Sequence, residues 1–231
     1  MKKSKRTKKV LEIIGEPKSF QLDQAVDILK KCPKLKFDES LEVSIKLGVD
    51  PKKSDQQVRG TVSLPHGSGK VLKVLVFAKD DKAKEALEAG ADYAGSTEYI
   101  EKVKGGWLDF NAVIATPDMM REVGKLGQIL GPRSLMPTPK SGTVTPDVAK
   151  AVKEIKGGKI AFKVDKNAVI NTIFGKLSFD LKKILENFNT LIAAVSRAKP
   201  ATSKGIYIKN LVISSTMGPG LAIDLQTLNI T

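Results

Sequence analysis

The stretch "VLKVLVFA", residues 71–78, decides the fold because its pattern breaks with that of the strands before it. Its apolar residues run almost without interruption, which is typical of a strand covered on both faces in a parallel sheet. By contrast, "LEVSIKLGV" (41–49) alternates apolar and polar residues, which predicts a half-buried strand with one polar, open face. Two kinds of strand in one chain predict two different sheets.

Around residues 71–78, helix and strand signals alternate along the chain. Helical patterns cover 80–91, 96–106, 117–130 and 145–158, and strand patterns cover 92–95 and 110–116. Pro117 opens one of these helices, and Thr145 is placed to cap another, with Pro146 at its first position. This order predicts a three-layer α/β (Rossmann-like) domain over residues 67–159.

The two ends of the chain carry a different pattern. Helices are predicted at 20–32 and 179–199, strands at 41–49, 56–65, 205–216 and 221–225, and a hairpin over 159–175 that turns at 165–167. We therefore predict a multidomain α and β protein, in which residues 1–66 and 160–231 form a split two-layer α+β domain. Glycines at both crossings between the domains predict a hinge: Gly67, Gly69, Gly157 and Gly158.

The charge of the chain indicates a polyanionic partner, either nucleic acid or an anionic membrane. The 231 residues carry 39 Lys and Arg against 25 Asp and Glu, a net charge of +14. Residues 67–159 hold 15 basic and 12 acidic residues, whereas the remainder holds 24 and 13. The two-ended domain therefore carries most of the excess. The basic start, "MKKSKRTKK", is either a solvated tail or an arm on nucleic acid.

Several functional classes are excluded by what the sequence lacks. With one cysteine, Cys32, and one histidine, His66, neither a disulfide nor a zinc cluster is expected. "HGSGKV" (66–71) lacks the early glycine and the hydroxyl of a phosphate loop, and no GxGxxG follows the strand at 71–78. We expect no enzyme and no cofactor. No apolar run approaches the roughly 20 residues that span a bilayer, and no signal peptide is evident, so we expect a cytoplasmic protein without a membrane partner.

Three segments are candidates for contact with the polyanion. "SSTMGPG" (214–220) is either a tight loop between strands or a loop that enters an RNA groove. In "KLKFDESLEVSIKL" (34–47), Phe37 either closes the core or joins the polar face in binding RNA. "ILGPRSLMPTPKSGTVT" (129–145) offers Arg133 and Lys140 to RNA, while Leu135 and Met136 could instead cover the core of the inserted domain.

Seven motifs together resemble one known family. They are "KFDESLEV" (36–43), "LPHGSGK" (64–70), "VLVFA" (74–78), "AGADYAG" (89–95), "IATPDMM" (114–120), "GQILGPRSLMPTPKSGTVT" (127–145) and "STMGPG" (215–220). The chain resembles the L-one family of bacterial large-subunit ribosomal proteins from about residue 3 onward. The resemblance implies the two-domain fold and a monomer in the free state.

The resemblance also implies partners and a site. It implies binding to the stalk region of large-subunit rRNA in the ribosome, help in releasing deacylated exit-site tRNA, and repression of the protein's own operon mRNA. The RNA-binding residues carried over from the family are Lys36, Phe37, Ser40, Glu42, Ser44, Lys46, Asp165, Lys166, Asn171, Ser215, Thr216, Met217 and Gly218. A second RNA or tRNA contact is implied at Arg133 and Lys140.

The sequence departs from the family pattern at a few positions. Ser134 stands where the family has glycine, Thr138 replaces an asparagine and Ser141 a threonine; Asn171 stands where histidine is common. Two other functions compete with this one: a nucleotide-using enzyme built on the insert, and a general nucleic-acid-binding protein. The second predicts binding that falls steeply with salt and ignores RNA shape.

Overall fold

The structure is a computed structural model that describes residues 4–15, 19–33, 35–133 and 135–227. Its helices are α1 (Lys5–Ile14), α2 (Leu22–Lys31), α3 (Asp80–Glu88), α4 (Thr97–Lys104), α5 (Met120–Val123), α6 (Gly127–Leu130), α7 (Val148–Lys156) and α8 (Leu181–Arg197). Its strands are β1 (Ser40–Leu47), β2 (Arg59–Ser63), β3 (Val74–Phe77), β4 (Tyr93–Gly95), β5 (Ala112–Ala115), β6 (Lys159–Lys163), β7 (Val169–Lys176), β8 (Ile208–Ser215) and β9 (Leu221–Ala222). Short 3₁₀ turns cover Ser54–Gln56, Pro117–Met119, Gly124–Leu126, Pro139–Ser141 and Leu225–Thr227.

The chain divides into two compact units. Unit 1 contains Met1–Gly69 and Ile160–Thr231, and unit 2 contains Lys70–Lys159. The first crossing between the units follows Gly69, so Gly67 and Gly69 belong to unit 1 and Gly157 and Gly158 to unit 2. Their function as a hinge stays a prediction.

Unit 1 is built on an antiparallel sheet with the strand order β7-β1-β8-β9. β1 is an internal strand that pairs with β7 and β8, and its alternating apolar residues, Leu41, Val43, Ile45 and Leu47, are all buried on one face. That face packs against α2 and α8, and residues from both ends of the chain share one core, including Leu29 and Phe188. The other face of the sheet carries the polar residues of β1.

Most of the described part of the N-terminal basic segment belongs to helix α1 (Lys5–Ile14). Ser4 caps α1 by accepting a hydrogen bond from the Thr7 amide, and Val10 is buried. Both readings of this segment from the sequence overlooked the helix, because lysines and an arginine dominate its composition.

Unit 2 is a three-stranded parallel sheet with the strand order β4-β3-β5. α4 and residues 119–130 cover one face, and α3 and α7 cover the other, so every residue of β3 is buried. This sandwich confirms the predicted α/β fold class and explains the uninterrupted apolar run at 74–78. None of the helices in the described ranges has the length and apolar character needed to cross a membrane.

Two local predictions in unit 2 differ from the structure in detail, although residues 117–130 are helical throughout and begin at Pro117 as predicted. The helix expected over 117–130 is broken into α5 and α6, separated by a 3₁₀ turn that begins at Gly124. Glycine is a poor helix former, and this segment has glycines at both 124 and 127. The helix expected from Thr145 begins at Val148 instead, and Asp147 caps it by accepting from the Lys150 amide.

Candidate nucleic-acid interface

The open face of the unit 1 sheet brings together polar residues from three strands. The strand register places Ser44 between Asn171 and Val212, Glu42 between Ile173 and Ser214, and Lys46 between Val169 and Asn210. Glu42, Lys46 and Asn171 are exposed, and Ser44 is partly exposed. The predicted residues of β1 and β7 therefore lie side by side on one surface.

Hydrogen bonds fix the side chains on this face while leaving capacity for a ligand. The Ser44 hydroxyl donates to Asn171 Oδ1 over 2.7 Å, and Lys46 Nζ donates to the Asn167 carbonyl over 2.6 Å. An ammonium has three donors and an amide nitrogen has two. Lys46 and Asn171 thus keep hydrogen-bond donors for phosphate or sugar oxygens. Their side chains are already held in position by the bonds within the protein.

The hairpin turn beside this face is held by an aspartate. Asp165 Oδ1 accepts from the amides of Asn167 and Val169, each over 2.8 Å, and Ala168 adopts a positive φ of 59°. The Asp165 carboxylate therefore stabilises the turn, whereas Lys166 is exposed at its tip. Of the two residues predicted here, Lys166 is the one that presents a charge to a phosphate.

The loop after β8 is anchored to a carboxylate that sequence reasoning did not select. Glu39 is 4% exposed, and its Oε2 accepts from the Ser215 hydroxyl over 2.7 Å and from the Met217 amide over 3.0 Å. Arg6 Nη2 lies 3.8 Å from Oε1 of the same carboxylate. Glu39 thereby fixes the backbone of the loop while the Met217 side chain stays 61% exposed.

A second set of bonds joins the loop to the start of β1. The Ser40 amide donates to Thr216 Oγ1 over 3.0 Å, and the Thr216 amide donates to the Ser40 carbonyl over 3.1 Å. A Cβ on Gly218 would lie 2.2 Å from Ser215 Oγ, so this position requires glycine. Ser40, Ser215 and Gly218 position the loop, and Thr216 and Met217 are its exposed residues.

Phe37 is not a core residue. Its ring is 54% exposed, and with Leu35, Leu177 and Lys30 it borders a cleft of about 370 Å³ next to Glu39. Lys36 is also exposed.

Cys32 lies behind this region and is buried. Burial raises the pKa of the Cys32 thiol, and the nearby Arg6 guanidinium only partly opposes this effect. A buried thiol with a raised pKa is a weak nucleophile, so Cys32 has a packing role.

The proline-rich loop of unit 2 has a clear structural function. Leu135 and Met136 pack against the cluster formed by β3, α4 and residues 119–130. Arg133 is exposed and free to contact a ligand. Ser134 and the side chain of Lys140 lie outside the described residues, so the predicted contact at Lys140 and the effect of Ser134 stay predictions.

Three residues that adjoin the candidate residues in the structure were not predicted from the sequence. They are Glu39, Asn210 and Ser214. Asn210 and Ser214 become neighbours of Lys46 and Glu42 only through the pairing of β1 with β8. A glutamate beside an exposed aspartate gives no sequence signal of burial, so Glu39 could not have been found without the structure. Within the described ranges, no group of three or more His, Cys, Asp or Glu side chains is arranged to hold a metal ion.

The chain is similar to one family of known proteins. The model of the ribosomal protein L1p/L10e family matches residues 29–219. Large ribosomal subunit protein uL1 of Protochlamydia amoebophila is 63% identical over 223 residues, which cover 96% of this chain and 94% of that protein. The proteins of the same name from Chlamydia trachomatis serovar L2b and Chlamydia pneumoniae are 59% and 57% identical over 227 residues, covering 98% of both chains in each pair.

Proposed function

The chain belongs to the ribosomal protein L1p/L10e family, and from this premise we propose that unit 1 binds the folded stalk element of large-subunit rRNA. The protein is a structural constituent of the large ribosomal subunit in the cytoplasm, not an enzyme. The observation that carries the proposal is the continuous surface formed by the polar face of β7-β1-β8 and the Glu39-anchored loop 215–218.

The chemistry of this surface favours RNA recognised by shape. The face combines fixed donors at Lys46 and Asn171 with an exposed carboxylate at Glu42. A carboxylate repels phosphate but accepts a hydrogen bond from a ribose 2′-hydroxyl, which DNA lacks. Few aromatic side chains are available for base stacking, since aromatic residues make up only 5% of the chain. A structured RNA with its minor groove against the sheet fits these groups.

Because the surface is ordered before RNA binds, binding loses less conformational entropy. Because Glu39, Ser44 and Asn171 already hold loop and face in one geometry, little side-chain entropy is lost when RNA binds. We therefore expect tight binding that survives moderate salt, whereas binding led by phosphate contacts alone would not.

The finer functions extend the same proposal. We propose that the protein, a monomer when free, represses its own operon mRNA by binding a mimic of the stalk RNA through the unit 1 surface. We also propose that unit 2, through the exposed Arg133 and through Lys140, contacts stalk RNA or exit-site tRNA and assists release of the deacylated tRNA.

The test compares two exposed apolar residues of unit 1. Met217→Ala should weaken binding of the stalk RNA about tenfold, because the variant loses a loop contact worth roughly 1.4 kcal/mol. Ile206→Ala is the matched control, since Ile206 is 74% exposed but lies before β8 rather than in the loop after it. Both affinities are measured by filter binding at two salt concentrations. Equal affinity of the two variants would remove the loop from the RNA site.

A further inference from the structure

A free strand edge on unit 1 lies outside the proposed RNA surface. β6 is joined to β7 by the hairpin at 164–168, and Val164 forms an antiparallel bridge with Ile170. β2 pairs with β6, and among the described residues no third strand joins this pair. β2 is therefore the outermost strand on this side of the unit.

The outward-facing backbone groups of β2 follow from its pairing. The Val164 amide donates to the Val58 carbonyl over 2.9 Å, so Val58 faces β6. Backbone groups of successive strand residues point alternately to the two sides. The backbone amide and carbonyl groups of Gly60 and Val62 therefore point toward β6. Those of Arg59, Thr61 and Ser63 point to the open edge.

A groove runs beside this edge. It has a volume of about 620 Å³ and is lined by the four consecutive residues 60–63, by Phe162, and by one face of α8. That face carries mostly small side chains: Thr190, Ala193, Ala194, Arg197 and Ala198. Gly60 contributes to the groove as well, because a Cβ there would lie 2.7 Å from the Phe162 ring. The groove has room for the side chains of a strand added at the edge.

The positive charge beside the edge of β2 indicates which class of molecule binds there. Arg59 and Arg197 are exposed, and in the described part of the chain neither has a carboxylate within 4.0 Å. A second copy of a chain with a net charge of +14 would be repelled. RNA cannot supply the alternating amide and carbonyl groups that a strand edge pairs with. An acidic polypeptide supplies both.

Natural strand edges are usually protected by lysine, proline or a bulge, but the interior of this edge consists of Gly60, Thr61, Val62 and Ser63. We propose that the open edge of β2 and the groove beside α8 bind an extended, acidic segment of another protein by strand addition. The segment pairs its backbone with Thr61, places alternate side chains against Ala194 and Ala198, and directs a carboxylate to Arg197.

The test selects ligands from a displayed library of short random peptides on the immobilised full-length protein. Enriched peptides should alternate β-branched and other residues and should contain Asp or Glu. Thr61→Pro should weaken their binding at least about tenfold, because proline removes the outward amide yet is tolerated on an edge strand. Thr61→Val, which keeps the amide, is the matched control. Arg197→Gln should weaken the binding of acidic peptides but not of uncharged ones.

Three results would overturn the proposal. The selection could enrich no peptide, or the enriched peptides could bind the Thr61→Pro and Thr61→Val proteins with equal affinity. The third result is that sedimentation shows a wild-type dimer that Thr61→Pro converts to a monomer. Binding of the stalk RNA should be unchanged by Thr61→Pro. Failure of this inference would therefore leave the proposed RNA function intact. Failure of the proposed RNA function would likewise leave the strand-addition proposal intact.

Discussion

Replacing Glu39 by alanine tests whether a buried carboxylate holds the loop after β8. The change removes the acceptor for the Ser215 hydroxyl and for the Met217 amide. It also leaves the Arg6 guanidinium without the carboxylate that lies 3.8 Å away. Two buried Arg6 nitrogens, Nε and Nη2, already have no hydrogen-bond partner among the described residues.

The magnitude follows from the two hydrogen bonds. A hydrogen bond to a charged group contributes about 1.5–3 kcal/mol, but water can reach the partly buried Met217 amide once the carboxylate is gone. We therefore expect the free energy of unfolding to fall by about 3 kcal/mol. Part of this loss reflects the unpaired Arg6, so adding Arg6→Met to Glu39→Ala should recover stability.

Urea unfolding of Glu39→Ala and Glu42→Ala measures the effect against a matched control. Glu42 is an exposed glutamate on β1, and its replacement should change the free energy of unfolding by less than about 0.5 kcal/mol. Hydrogen exchange should rise at the Met217 and Gly218 amides in Glu39→Ala but not in Glu42→Ala, and Glu39→Ala should bind the stalk RNA more weakly than wild type does. If Glu39→Ala is as stable as Glu42→Ala and its loop amides exchange at the wild-type rate, the anchoring function of Glu39 is refuted.

Two further predictions concern the core of unit 1. Asn187→Leu should lower the free energy of unfolding by about 3 kcal/mol in urea, because Asn187 accepts from the His66 amide and donates to the Gly67 and Phe174 carbonyls, and all three groups lose their partner. Asn189→Leu, on the exposed side of the same helix, should have little effect, and equal losses in the two variants would contradict the prediction. Burial raises the pKa of Tyr207 to about 12, above the value of about 10 in an unfolded chain, so its stabilising contribution is complete below pH 10 and is lost as the pH rises to about 12. Urea midpoints across this range should fall less steeply in Tyr207→Phe than in wild type, and parallel curves would show that Tyr207 does not carry the effect.

Local sequence patterns predicted the main elements because those elements depend on periodicity. The alternation in 41–49 identified β1, and the apolar run at 71–78 identified β3. Periodicity failed where backbone chemistry decided the outcome. Glycines at 124 and 127 broke a helix whose apolar spacing was correct, and Asp147 rather than Thr145 became a cap.

The geometry of the candidate interface could be predicted in part, for a related reason. The polar face of β1 follows from alternation, so Glu42, Ser44 and Lys46 were found from the sequence together with the resemblance. The sequence did not predict which loop residues are anchored, since an exposed hydroxyl and one that donates to Glu39 look the same in a sequence. The structure assigns Ser215 to anchoring and leaves Met217 exposed.

By itself, the sequence determined which residues alternate, which runs are wholly apolar and where the positive charge is concentrated, since these properties belong to neighbours along the chain. Only the tertiary structure decided which distant residues meet, such as Glu39 with Ser215 across 176 positions and His66 with Asn187 across 121. It also decided that β2 has one edge without a neighbouring strand among the described residues. Such contacts depend on how strands pair and how helices cover them, and short-range patterns carry no record of either.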